Sequence, residues 1–302
     1  MTVKMKMYKP RGAFEFQVIN EDGSIEQQSD GEIKNLILDS FLGHHKNSNA
    51  SHNFQLAIGS GVQTEPKKTD TSLGNQVAIS GFFAIPASPA NTGAYDHKDG
   101  IVRIFTEVRD FTGINGMITE LGIVKAGLLL TKALIKDENQ NPVAIPLTNT
   151  QTLRITYRLY VYYPAVAAEG VWQTDLGEIP YKVCLSSELA NPVDPKSVRC
   201  QFYMYGFVNS ISSYMGNNSV SVTLIASPTE NKFTASAGID HSPSERNLYI
   251  EVRGSDVIAG SSFPYAWYYI IVYGKPKIPP NTTVRYTLEF ELDWIDDEVV
   301  AG

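Results

Sequence analysis

The sequence predicts an all-β protein of two β-sandwich-like domains with one short α-helix in the first. Three observations lead there. Nearly every apolar segment alternates with polar residues at a period of two. Clusters of Gly, Pro, Asn and Ser separate these segments at short intervals. The 302 residues, 43% of them hydrophobic and including 16 Tyr, 13 Phe and 3 Trp, supply enough material for more than one packed core.

The alternation begins at Phe14, Phe16 and Val18, which interleave with Glu15 and Gln17. The next segment reads differently. Ile33, Leu36, Ile37 and Phe41 recur at three- and four-residue spacing, with Asp30 as a candidate cap and Gly43 as a stop, which predicts an amphipathic helix. A polar loop, residues 43–53, leads from it to a strand-like run beginning at Leu56. Val102 and Ile104 resume the alternation. The clearest strand is residues 151–162, with Leu153, Ile155, Tyr157, Leu159 and Val161 on one face and Arg154, Thr156, Arg158, Tyr160 and Tyr162 on the other. Twelve residues at about 3.3 Å each span roughly 40 Å, about twice a typical strand.

Pro164 ends that run, and the small residues through Gly170 read as a linker, which sets domains at 1–163 and 164–302. Beyond it, residues 198–208, 220–226, 248–252, 266–273 and 283–294 are strand-like and separated by turn residues, the spacing of a second sandwich. The closing run 283–294 echoes 152–162, each following a turn rich in Pro, Asn and Thr.

A net charge of −7 disfavours a general grip on nucleic acid, which requires clustered Lys and Arg to neutralise phosphates. Lys4, Lys6, Lys9 and Arg11 cluster, but on a terminal arm. The opening residues lack the apolar core of a signal peptide, and no run approaches the roughly 18 apolar residues of a membrane helix. The chain is therefore expected to be made soluble in a cytoplasm, without membrane insertion. Cys184 and Cys200 are too few for a disulfide framework and lack zinc-ligand spacing, so both are expected to be buried thiols on strands.

Little in the sequence points to chemistry. Gly59-Ser-Gly61 is followed by a turn and not by the helix of a phosphate-binding loop. His44, His45 and His52 share a loop without ligand spacing, and the acidic stretch 293–298 lacks the pattern of a calcium loop. Glu107, Asp110 and Glu120 are candidates by location alone for glycoside hydrolysis, which needs two carboxylates facing each other. No nucleophile elbow is present. No catalytic residue, metal ligand or cofactor is expected.

The most informative stretch is residues 56–77, where a strand-like run opens into a loop rich in Gly, Pro, Asp and Thr, with Gly59-x-Gly61 at its start and Asp70-Thr-x-Leu-Gly-Asn75 at its end. Asn35-Leu-Ile-x-Asp39 precedes it, and Ile118-x-Glu120-x-Gly122 and the long strand 151–162 follow. In this order the four pieces resemble a module of structural proteins of tailed bacteriophages, especially tail fibre and tail-tip components. The resemblance spans roughly residues 14–163 and leaves the second half unexplained. It places Glu120 in a turn, accepting backbone N–H groups, with Gly122 allowing the bend.

What the resemblance implies is a virion structural protein: a tail fibre, tail-tip or baseplate-associated subunit, assembled in the bacterial cytoplasm, that pairs with copies of itself and docks other virion proteins. The chain has no collagen-like, heptad or β-helix repeat, so it lacks a fibre shaft, which raises a neck, collar or capsid decoration protein as the alternative. An alternative of another class is a protein that binds or depolymerises a host-surface glycan through outward Tyr and Trp. The interface residues expected are Gly59, Gly61, Asp70, Leu73 and Asn75 in the loop, and Trp267, Tyr269 and Tyr273 on a docking strand.

Overall fold

In the computed structural model the described residues are 2–6, 9–41, 54–83, 92–97, 100–174, 177–185, 198–204, 211–215, 218–226, 232–241, 248–254, 267–272 and 282–291. They are mostly β-strand, with very little helix, in several largely antiparallel sheets. In chain order the first strands are β1 (Thr2–Lys6), β2 (Lys9–Ile19), β3 (Ile25–Gln28), β4 (Ile33–Lys34), β5 (Leu36–Ile37), β6 (Phe54–Gly59) and β7 (Gln76–Ile79). Next come β8 (Thr92–His97), β9 (Gly100–Thr112), β10 (Gly116–Ile118), β11 (Glu120–Lys125), β12 (Leu128–Leu134), β13 (Ile145–Leu147) and β14 (Thr152–Pro164).

The long alternating run forms β14, which pairs along its length with β2 on one side and β9 on the other. The register sets Phe14, Phe16 and Val18 beside Tyr157, Ile155 and Leu153, and these in turn beside Glu107, Arg109 and Phe111. The apolar members of this face are buried, with Phe14 fully so and its ring centroid 5.0 Å from that of Tyr157. β3 and β8 complete this sheet at its edges. Its other face is polar at the centre, where Arg158 pairs with Glu15 at 2.6 Å and Arg154 with Asp110 at 2.8 Å.

A second sheet runs β5-β12-β11-β6-β7. Leu56, Ile58, Leu121 and Ile123 lie on one face of it and are buried. Ala57, Val124 and Leu129 lie on the other, where Leu36, Leu38 and Leu73 pack over them. Both faces are therefore buried, and the central strands read as continuous buried runs and not as alternation.

The helix expected from Ile33 to Phe41 is not what forms. Ile33 pairs with Phe14 at the margin of the first sheet, while Leu36 and Ile37 pair with Lys132 and Thr131 of the second, and only residues 39–41 are helical. The chain crosses from one sheet to the other between residues 34 and 36. Changing sheets resets the alternation, so two strand fragments display apolar residues at helical spacing. Gly43 lies outside the described residues.

The later strands are β15 (Val166–Thr174), β16 (Gly177–Leu185), β17 (Val198–Met204), β18 (Ile211–Met215) and β19 (Asn218–Ala226). β20 (Lys232–His241), β21 (Leu248–Gly254), β22 (Trp267–Val272) and β23 (Thr282–Glu291) follow. With β1 they form one sheet, ordered β1-β23-β20-β19-β18-β17-β21-β22-β16-β15. Its end strands β1 and β15 also approach each other, so the sheet curls back on itself. Residues 164–170, read as a linker, are mostly strand: β15 pairs with β16 from Val166 onward, leaving Ala165 alone between β14 and β15. Cys184 and Cys200 lie on β16 and β17.

Truncating Phe14 to Ala removes a ring at the centre of the first sheet's buried face and is expected to cost roughly 3–5 kcal/mol. Urea unfolding of the variant checks this, and a loss under about 1 kcal/mol would remove Phe14 from the core.

Candidate functional site

The loop between β6 and β7 is anchored from below by strand residues. β11 and β12 form a hairpin whose two-residue turn, Ala126 and Gly127, has φ of 50° and 79°. Its register sets Gly122 opposite Lys132 and Glu120 opposite Leu134, so Glu120 and Lys132 are diagonal neighbours on one face. The Lys132 ammonium lies 3.3 Å from Glu120 Oε1 and 3.3 Å from Asp70 Oδ2, joining strand to loop. Glu120 is 1% exposed, and its Oε2 accepts the backbone N–H of Gly74 at 2.7 Å. Its Oε1 makes no hydrogen bond, so the facing ammonium is its compensation.

The residues flanking this carboxylate are small because the backbone passes close. A Cβ on Gly61 would stand 2.7 Å from both Glu120 oxygens. Neither Glu120 nor Gly122 is in the turn that the resemblance implied; both lie on β11. A Cβ on Gly122 would stand 2.6 Å from Leu129 Cδ1 and 2.8 Å from the Thr131 carbonyl. The glycine is required for close packing across the hairpin, not for a bend. Thr119 donates its N–H to the Gly59 carbonyl at 2.8 Å and its hydroxyl to the Gly61 carbonyl at 2.9 Å. Across the loop neck, Ser60 N–H donates to the Asn75 carbonyl at 2.8 Å, and the Asn75 side-chain amide donates to Ser60 Oγ at 2.7 Å.

The far side of the loop is tied as well. Asp39 N–H donates to the Lys68 carbonyl at 2.9 Å, and Lys136 pairs with Glu65 at 2.8 Å. A cleft of about 460 Å³ lies beside this last pair, lined by Asp30, Glu32, Lys34, Glu65, Lys136 and Asp137 among others.

The five loop residues expected at an interface are thus brought together, but two of them face inward. Gly59 is buried and Leu73 is 5% exposed in the apolar cluster over the second sheet. Asp70 is half-buried against Lys132, and Asn75 is exposed. The loop's free surface is instead residues such as Val62, which is 79% exposed. Trp267 and Tyr269 lie on β22, an interior strand flanked by β21 and β16, so its backbone edges are occupied. Tyr273 lies outside the described residues, as do His44, His45, His52 and residues 293–298.

Lys132 was missed by sequence reasoning. Its signal was a lone ammonium inside the apolar strand 128–134, where an unpaired charge would be costly.

The three candidate carboxylates do not meet. Glu107 lies on the buried face of the first sheet, Asp110 on the opposite face and Glu120 in the second sheet. Burial pushes the Glu107 carboxyl up, opposed by Arg109 at 2.6 Å. Hydrogen bonds from Arg154 hold Asp110 below the usual carboxylate range, opposed by its partial burial. Nearby, Lys125 is 3% exposed with its ammonium 4.6 Å from the Phe54 ring centroid, and burial pushes it down. Among the described residues no group of three His, Cys, Asp or Glu could hold a metal ion.

No family model, curated protein or solved structure matches the chain.

Replacing Lys132 with Met leaves Glu120 buried beside an apolar side chain and is expected to cost roughly 3–5 kcal/mol. Adding Glu120→Gln should recover part of that loss. Denaturant unfolding measures the cycle, and trypsin should cut at Lys67 or Lys68 faster in the single variant. Strict additivity of the two changes would mean that the pair is not coupled.

Glu107 generates a pH signature. Its folded carboxyl holds a proton more tightly than the unfolded one, so its contribution to stability falls as pH rises from the unfolded value through the folded one. The Glu107→Gln variant should lose that part of the slope when unfolding midpoints are compared from about pH 4 to 7. An unchanged slope would show that the shift is absent.

Proposed function

We propose that this chain is a structural subunit of a tailed-phage virion, a tail fibre, tail-tip or baseplate-associated protein that self-associates and docks neighbouring virion proteins. In this reading it has two β-sandwich-like domains divided near residue 164, with β1 (Thr2–Lys6) pairing with β23 of the second, is assembled in the bacterial cytoplasm and acts by burying interfaces, not by turnover. The observation that carries it is the convergence of three of the four sequence pieces on one loop, the fourth, the long strand β14, lying in the first sheet. Asn35-Leu-Ile-x-Asp39 supplies Leu36, Leu38 and the Asp39 N–H, Gly59 and Gly61 supply the close approach, Asp70 to Asn75 supply the return, and Glu120 and Gly122 supply the anchor. These pieces thus serve one physical purpose: a loop held from beneath, with Val62 exposed at its rim.

Rigid presentation suits docking, because a loop ordered before contact loses little conformational entropy on binding. The charged groups at the anchor are committed to one another, which supports a structural over a catalytic role. Gold-labelled antibody to the chain, applied to tailed-phage particles and viewed by electron microscopy, tests the reading. Label at the distal tail is expected. Label at the head or neck would make this a decoration or collar protein, and its absence from intact particles would reject a virion role.

A further inference from the structure

We propose that the free edge of β7 is a self-docking strand that pairs antiparallel with β7 of a second copy, joining two five-stranded sheets into one. This rests on the self-associating part of the reading above and names its interface. β7 closes the β5-β12-β11-β6-β7 sheet, and its outer side has no strand partner among the described residues. An unpaired edge of N–H and C=O groups accepts another strand, and proteins ordinarily guard such edges with charge, proline or bulges. Among the described edges, β1 carries Lys4 and Lys6, β3 carries Glu26, β8 carries Asp96, β15 carries Glu169, and β5 is two residues long. β7 differs from these, since residues 71–83 contain no charged side chain and no proline; β10, in the two-stranded β10–β13 sheet, is also uncharged but only three residues long. Its guard is a single register shift, opposite Ile58 and Gly59, at the Gln76 end.

The side chains here also lack cover. Val77 and Ile79 are each 39% exposed, and Phe82, just past the strand, is 63% exposed. A second copy fits because the strand is complementary to itself. A two-fold axis at Ala78 sets Val77 of one copy opposite Ile79 of the other, twice, with no like charges brought together. A charged partner strand would find no complementary charge on this edge. One strand ladder and three apolar side chains bury less than the roughly 800 Å² per partner of a stable interface. The pair therefore forms at high protein concentration, or where an assembly holds copies side by side.

The register makes the contact testable. Ala78 faces itself across the axis, and residues directly opposite in antiparallel strands have Cα atoms about 4.5–5.5 Å apart, inside the disulfide range. Full-length Ala78→Cys protein, oxidised in air at high concentration, should form a dimer whose disulfide maps by peptide mass spectrometry to position 78. Glu26→Cys, on the charged edge β3, should not. In sedimentation velocity over a concentration series, the double variant Val77→Lys and Ile79→Lys should associate about tenfold or more weakly than the parent, with its melting temperature showing that the fold is kept. If the double variant unfolds, the cysteine experiment decides. No disulfide at position 78, or equal crosslinking at position 26, overturns the contact. Particle labelling separates this from the wider reading: labelled particles without the disulfide would remove only the edge contact, and the disulfide without labelled particles would remove only the virion role.

Discussion

A carboxylate with almost no solvent contact has to be compensated where it sits, and the arrangement around Glu120 follows from that constraint. Removing a charge from water costs several kcal/mol even after relaxation, so the Lys132 ammonium and the Gly74 N–H are requirements of the fold and not additions to it. Each fixes something further. Lys132 sits diagonal to Glu120 only if the β11–β12 hairpin holds its register, which the two-residue turn at Ala126 and Gly127 sets. Gly74 reaches the carboxylate only if the loop returns over β6, and that path is open only where Gly61 has no side chain. One buried charge thus links hairpin register, loop course and glycine placement.

The same carboxylate explains why the second sheet is buried on both faces. The loop that delivers Gly74 and Asp70 also delivers Leu73, which joins Leu38 from the sheet-crossing segment to cover Ala57, Val124 and Leu129. Releasing the loop would therefore expose an apolar patch as well as a charge. The two penalties are coupled, so opening the loop costs both at once.

The strand content was legible because alternation is a local property: Phe14, Phe16 and Val18, and Leu153 to Leu159, are buried on the face their spacing indicated. The helix at Ile33 was misread for a reason of the same kind. Periodicity assumes that one element faces one core, and residues 33–37 serve two sheets. The site was legible as a set of residues but not as a geometry. Gly59, Gly61, Asp70, Leu73 and Asn75 do gather, yet their inward or outward direction depends on where Glu120 and Lys132, far along the chain, meet them. Lys132 itself carried no motif. Only the cost of an isolated ammonium in an apolar strand hinted that a carboxylate would be waiting for it.

A loop anchored in this way has its free surface defined by exclusion. Gly59, Leu73 and Glu120 are committed to the interior, Asp70 to Lys132, Glu65 to Lys136 and the Lys68 carbonyl to Asp39. What remains is an outward rim containing Val62, together with the uncharged edge of β7 that begins where the loop ends. The rim and the edge belong to one continuous stretch of chain, stiffened by the same buried charge. The ordering entropy of that stretch is met during folding, so little of it is left to oppose contact with a neighbouring subunit. A protein with the proposed assembly role would gain from this arrangement, because its interfaces would already be shaped when copies met.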